Sequence, residues 1–175
     1  YICESRQIEA EPKFNQQIAD WLACFGTKTL DWLAASARTD KPVAALYLKT
    51  GKGTGKSLMV SLLSHAMGGH VDFGRIGDKF VASLRKTRLV WADENAEGLT
   101  KGVSASGVVR RLVGNRTHVF EMKFRDETPL HGYPIVVITA NNPDVLNFTE
   151  SLTPDDLAAV EERVFYNEPS TEDQA

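Results

Sequence analysis

The octapeptide TGKGTGKS at 50–57 constrains this 175-residue chain more than any other feature. The short apolar run VAALYL, of the length expected for a buried strand, begins after Pro42 and leads into it. The stretch SLMVSLLSHAM follows, with Leu58, Leu62, Leu63 and Met67 at helical spacing and Gly68–Gly69 as the stop. The order is therefore strand, glycine loop, helix. Gly55, Lys56 and Ser57 match the second half of the phosphate-binding pattern G-x-x-x-x-G-K-S/T. Thr50 holds the place of the pattern's first glycine, and Gly51 comes immediately after it. Gly51 and Gly53 still leave the loop free to turn, because neither carries a Cβ.

Such a loop wraps phosphate oxygens in backbone N–H groups at a helix N-terminus. Gly51, Lys52, Gly53, Thr54, Gly55, Lys56 and Ser57 are accordingly expected to bind a nucleoside triphosphate. Lys56 is expected to reach the β- and γ-phosphates and Ser57 to ligate Mg²⁺. Further along, the strand-like run LVWADE ends in two acids: Asp93 is the expected Mg²⁺ partner and Glu94 the group that polarises the attacking water. The apolar run PIVVI leads into TANN, where Asn141, in near balance with Asn142, is placed to orient that water. A helix that Thr153 caps, with Pro154 at its first position and Asp155 and Asp156 in its first turn, is expected to carry Leu157, Val160 and Arg163. An arginine there suits charge developing on a phosphoryl group of a neighbouring subunit.

The remaining periodicity fits an α/β core with a largely parallel sheet. Residues 14–38 read as two short helices separated by Gly26, with apolar stripes Ile18, Trp21, Leu22, Phe25 and Leu30, Leu33, Ala37. Helices are also expected over 76–86 and 104–113, and strands over 89–94, 118–124 and 133–141, with the polar RDETP run ending the second of these. Three segments result: an N-terminal helical segment at 1–41, a core at 42–168 and a disordered acidic tail at 169–175.

Composition narrows the possibilities. No stretch approaches ~20 uninterrupted apolar residues, so no membrane partner is expected. Two cysteines, Cys3 and Cys24, make neither a disulfide framework nor a metal cluster and fit a reducing compartment. The chain lacks an initiator Met and is expected to be a processed product or part of something longer. The net charge of −3 does not advertise nucleic acid, but Arg110, Arg111, Arg116, Lys123 and Arg125 are clustered.

The sequence TGKGTGKS, then VWADE, then VVRRLVGNRTHVFEMKFRD, then ITANN and EERVF, in this order, resembles a superfamily 3 helicase domain of phage, plasmid and viral primase-helicase proteins. The resemblance covers roughly 42–168. It implies an AAA+-type P-loop ATPase core with a β-hairpin insertion, ATP and Mg²⁺ as cofactors, a hexameric ring and translocation on single-stranded DNA. It further implies that Lys123 and Arg125 sit on or near the DNA-contacting hairpin and that Arg163 is the arginine finger. A P-loop ATPase that remodels or packages a partner other than DNA, or a nucleotide-binding module inactive as an isolated fragment, shares the same loop. A small-molecule kinase would need an acceptor site, and RTRLVWADE offers none.

Overall fold

The computed structural model describes residues 13–38, 40–76, 84, 86–93, 105–114, 119–122, 125–129, 132–141 and 154–169. For 119–122 and 125–129 it describes the backbone alone. The chain opens with α1 (Gln16–Ala23) and α2 (Thr27–Ser36). Asn15 caps α1 by accepting from the Ile18 N–H at 3.2 Å. Gly26, with φ 77°, turns the chain between the two helices.

Then follow β1 (Ala45–Lys49), α3 (Lys56–Ala66), the short β2 (Val71–Asp72) with a 3₁₀ turn at Phe73–Arg75, and β3 (Leu89–Ala92). The second half holds α4 (Ala105–Gly114), β4 (Val119–Met122), β5 (Arg125–Pro129), β6 (Ile135–Ala140), α5 (Pro154–Glu161) and β7 (Val164–Asn167). The expected helix over 76–86 falls almost wholly outside the described residues.

The main sheet has the order β2-β3-β6-β1-β7, and every pairing in it is parallel. β4 and β5 form a separate antiparallel ribbon. This is an α/β P-loop fold of AAA+ type with a mainly parallel sheet, a hairpin and N-terminal helices. The central strands are buried on both faces, which is why they read as unbroken apolar runs. Leu46, Leu48, Leu89, Ile135 and Val137 pack beneath Phe25, Trp32, Met59 and Val60 on one face. Ala45, Tyr47, Val90, Ala92, Val136 and Ile138 pack against Phe73, Ile76, Val108, Val109 and Leu112 on the other. No helix among the described residues is long and apolar enough to cross a membrane.

Five expectations are corrected. RDETP, expected only to break the strand before it, is itself a strand, β5, paired to β4 with Met122 opposite Arg125. A two-stranded ribbon outside the main sheet does not require an apolar run, since backbone pairing defines it. VFYN at 164–167 is a strand that sequence reading missed, at the open edge beside β1. The fully buried residues of α2 are Thr29, Trp32 and Ser36, while Leu33 of the expected stripe packs half-buried on the core and Ala37 is exposed. The buried polar groups are bonded: Trp32 Nε1 donates to the Ala44 carbonyl at 2.7 Å, and Asn167 Nδ2 donates to Thr29 Oγ1 at 2.7 Å. Arg163 is not carried on α5, which ends at Glu161, but lies in the turn into β7. Finally, Pro169 is buried rather than part of a disordered tail.

Candidate functional site

Three adjacent parallel strands, β3, β6 and β1, end side by side, and their carboxyl ends carry Asp93, Asn141 and the loop that begins at Thr50. This is where ligands bind in open parallel sheets. A cleft of about 340 Å³ lies there, lined by Lys52, Gly53, Thr54, Gly55, Lys56, Ser57, Leu58, Asp93 and Asn141. All the loop residues expected at a phosphate site line it except Gly51, which contributes its carbonyl to Lys56 instead.

The loop's shape is set at two glycines. Gly53 and Gly55 have φ of 84° and 88°, a region that residues with a Cβ rarely adopt. Gly55 is also the residue that enters α3, and a Cβ there would meet Trp21 Nε1 of α1 at 3.1 Å. The N-terminal helices therefore brace the loop from behind. Gly51 has no such constraint: a Cβ there would meet only Thr54 Cγ2 at 3.9 Å, an ordinary contact. The left-handed turns fall at Gly53 and Gly55, so Gly51 is not one of the positions that needs a glycine.

Lys56 is 7% exposed at the first position of α3. Its ammonium donates to the Thr50 carbonyl at 3.0 Å, Thr50 Oγ1 at 2.9 Å, the Gly51 carbonyl at 2.9 Å and Asn141 Oδ1 at 2.6 Å. A buried cation needs such acceptors, and charged hydrogen bonds of this kind contribute roughly 1.5–3 kcal/mol each. Thr50 explains its own departure from the glycine pattern. It is 5% exposed, and its hydroxyl both receives Lys56 and bonds the Thr54 hydroxyl, stitching the start of the loop to its tip.

Asp93 and Ser57 are exposed on the cleft. Thr139, which sequence reading passed over as an ordinary strand residue, bonds Asp93 Oδ1 at 3.1 Å. Glu94, Asn142 and Lys123 lie outside the described residues. Arg125 opens β5 directly after Lys123–Phe124, and its side chain is not described.

Arg163 is at the other end of the sheet. Its carbonyl accepts from Ala45 N at 2.8 Å, at the start of β1. The five residues of β1 carry the chain from Ala45 to the loop, about 16 Å at a strand's rise. The guanidinium donates to the Ala159 carbonyl and rests against Gly114 at the end of α4, where a Cβ would meet Arg163 Nε at 3.0 Å. The structure thus brings Lys56, Ser57, Asp93 and Asn141 together and leaves Arg163 apart from them.

The cleft fits a nucleotide with a divalent cation. Its oxygen donors, the Ser57 hydroxyl and the Asp93 carboxylate, suit a hard ion, and loop amides with Lys56 suit phosphate. No group of three or more His, Cys, Asp or Glu among the described residues forms a metal cage. A Mg²⁺ completed by nucleotide phosphates needs none.

The fold has counterparts among solved structures. An A-form apo structure of the NrS-1 C-terminal region matches 94% of this chain at TM-score 0.61 and 15% identity, using 39% of its own length. A second apo structure of that region matches 96% of the chain at TM-score 0.59 and 18% identity, using 44% of its length. The chain thus spans less than half the length of these structures. These matches show a shared fold. No curated protein matches the sequence. A family model does match, over residues 48–156, a span that includes Lys56, Asp93 and Asn141, and the chain belongs to that family, the family of unknown function DUF5906.

Proposed function

We propose that this chain is the ATP-dependent helicase or translocase domain of a replication protein, hydrolysing ATP at subunit interfaces and moving on single-stranded DNA. The observation that carries the reading is the Lys56 Nζ to Asn141 Oδ1 contact of 2.6 Å inside a cleft that Asp93 also lines. It joins loop, acidic strand and polar strand end, three elements distant in sequence, around one space of nucleotide character.

In this reading loop amides and Lys56 bind the β- and γ-phosphates, exchanging some of the lysine's loop acceptors for phosphate oxygens. Mg²⁺, held by Ser57 and Asp93, neutralises charge on those phosphates when bound. Glu94 takes the proton of the attacking water, and Asn141 orients it. Arg163, remote from its own loop, serves the nucleotide of the next subunit in a hexameric ring. Lys123, which follows β4 in sequence, and Arg125, the first residue of β5, contact the DNA backbone, where cations give affinity without sequence readout.

Steady-state ATPase measurements with and without single-stranded DNA test this, together with DNA binding at low salt. Stimulation by DNA that Lys123→Ala plus Arg125→Ala abolishes, with nucleotide binding kept, is the expected result. ATP hydrolysis with no DNA binding and no stimulation sinks the DNA half and leaves an ATPase for another partner.

A further inference from the structure

Trp91 and Asp93 are two residues apart along one strand direction, so their side chains share a face of the sheet. The parallel register sets Trp91 beside Val137 and Ala92 beside Ile138, which brings Thr139 of β6 next to Asp93. Thr139 is 1% exposed. Trp91 Nε1 donates to Thr139 Oγ1 at 3.0 Å. Thr139 Oγ1 in turn lies 3.1 Å from Asp93 Oδ1 and 3.4 Å from the Ala92 carbonyl.

The direction of this chain follows from the groups in it. An indole N–H can only donate, and a hydroxyl has a single proton to give. Trp91 uses an acceptor lone pair of Thr139, so the hydroxyl proton remains for an acceptor, and the carboxylate oxygen is both nearer and charged. The relay runs from Trp91 to Thr139 to Asp93. Its first member is held in turn, because the Trp91 ring meets the edge of His70 at 5.1 Å between centroids. His70 Nδ1 lies 2.9 Å from Ser64 Oγ on α3, the helix that the phosphate loop opens.

We infer that Thr139, backed by Trp91, is a positioning residue that aims the Asp93 carboxylate at the divalent cation. The inference rests on the reading of Asp93 as a metal partner given above. Engaging Oδ1 restricts the rotation of a carboxylate that lines the cleft. Partners of this kind behind a metal-ligating carboxylate typically change metal affinity or activity by about 10–100-fold when removed.

The test is Mn²⁺ affinity by electron paramagnetic resonance, with a non-hydrolysable ATP analogue present, on the full chain. Analogue binding without metal is measured alongside. Thr139→Val keeps the shape and removes the hydroxyl. It is expected to weaken Mn²⁺ binding about 10–100-fold while metal-free analogue binding stays unchanged. Thr139→Ser is expected to restore Mn²⁺ affinity, and Trp91→Phe to give a loss smaller than that of Thr139→Val. Should Thr139→Val fail to fold, the serine and phenylalanine variants still decide the matter. Wild-type Mn²⁺ affinity in Thr139→Val overturns the inference, as does a serine variant no better than valine. If the wild-type chain itself takes up no Mn²⁺ with the analogue, the assignment of Asp93 has failed rather than the role of Thr139.

Discussion

Lys56 and Arg163 are cations at opposite ends of the same strand, and their surroundings differ in kind. Lys56 donates to three loop acceptors and to Asn141, and Lys56 and Asn141 both line a cleft with room for a ligand. Arg163 donates to a carbonyl of the helix before it and lies against Gly114, in a groove with Pro42, Val43 and Ala44. The lysine is set up to exchange partners within its own subunit. The arginine has none of the described cleft residues beside it, and in the proposed reading it acts on the nucleotide of another copy. The two cations thus sit at opposite ends of one strand, and only Lys56 lines the cleft.

The largest expected effect separates these two cations. Lys56→Ala should abolish detectable nucleotide binding, because the loop loses its charge and its link to Asn141 together. Arg163→Ala should leave binding near wild type and lower turnover about 10³-fold or more, the range for arginine fingers. An equimolar mixture of the two variants should recover part of the activity, since a Lys56-bearing loop can then face a neighbour's intact Arg163. Nucleotide titration and steady-state ATPase assays read all three outcomes. A mixture as inactive as its components would place Arg163's role within its own subunit or in folding, and the contrast between the two ends would lose its functional meaning.

Much of the cleft was legible in the sequence because its parts are local. A glycine loop between strand and helix, acids closing an apolar strand and an amide closing another each show in a window of a few residues. What stayed hidden depends on neighbours across the sheet. Lys56 and Asn141 are 85 residues apart, and only the β1–β6 pairing joins them. Thr139 reads as a β-prone strand residue, and its hydroxyl gains meaning only from the register that sets it beside Asp93. The same limit explains the fold errors. VFYN at β7 borders only β1, and β5 is polar because its pairing with β4 is a backbone matter. The three strands buried on both faces, β1, β3 and β6, announced themselves by apolar runs alone.

A middle-sized effect sharpens the picture of the loop. Gly55→Ala forces a side chain into φ 88° and against Trp21 Nε1 at 3.1 Å. It should destabilise the fold by roughly 1–3 kcal/mol and weaken nucleotide binding as well. Gly53→Ala carries the backbone strain of φ 84° but meets nothing within 4 Å, and its effect should be smaller. Gly51→Ala should be close to neutral for stability. Urea denaturation ranks the three. Equal losses at Gly51 and Gly55 would mean that the loop's turn is made elsewhere than at Gly53 and Gly55.

The smallest effect concerns a charged contact that belongs to the loop's end of the sheet without belonging to the cleft. Glu168, just past β7, bonds Lys49 Nζ at 2.7 Å and accepts from the Tyr166 hydroxyl at 2.9 Å. Lys49 immediately precedes Thr50. The hydrogen bond from Lys49, and then that from Tyr166, hold the Glu168 carboxyl below its ordinary value of 4.5. A group depressed on folding stabilises the native state above its unfolded pKa, and that contribution disappears as pH falls through the lower folded value. Wild type should therefore melt slightly above Glu168→Gln at neutral pH, and the gap should close as the pH drops below 4.5. Added salt should narrow it too, as for any exposed pair. Nucleotide affinity at neutral pH should not change. Thermal melts across that pH range, paired with a nucleotide titration, check both halves. A gap that persists unchanged in acid would show that Glu168 acts through packing, and a loss of nucleotide affinity would extend the cleft's electrostatics out to the edge strand.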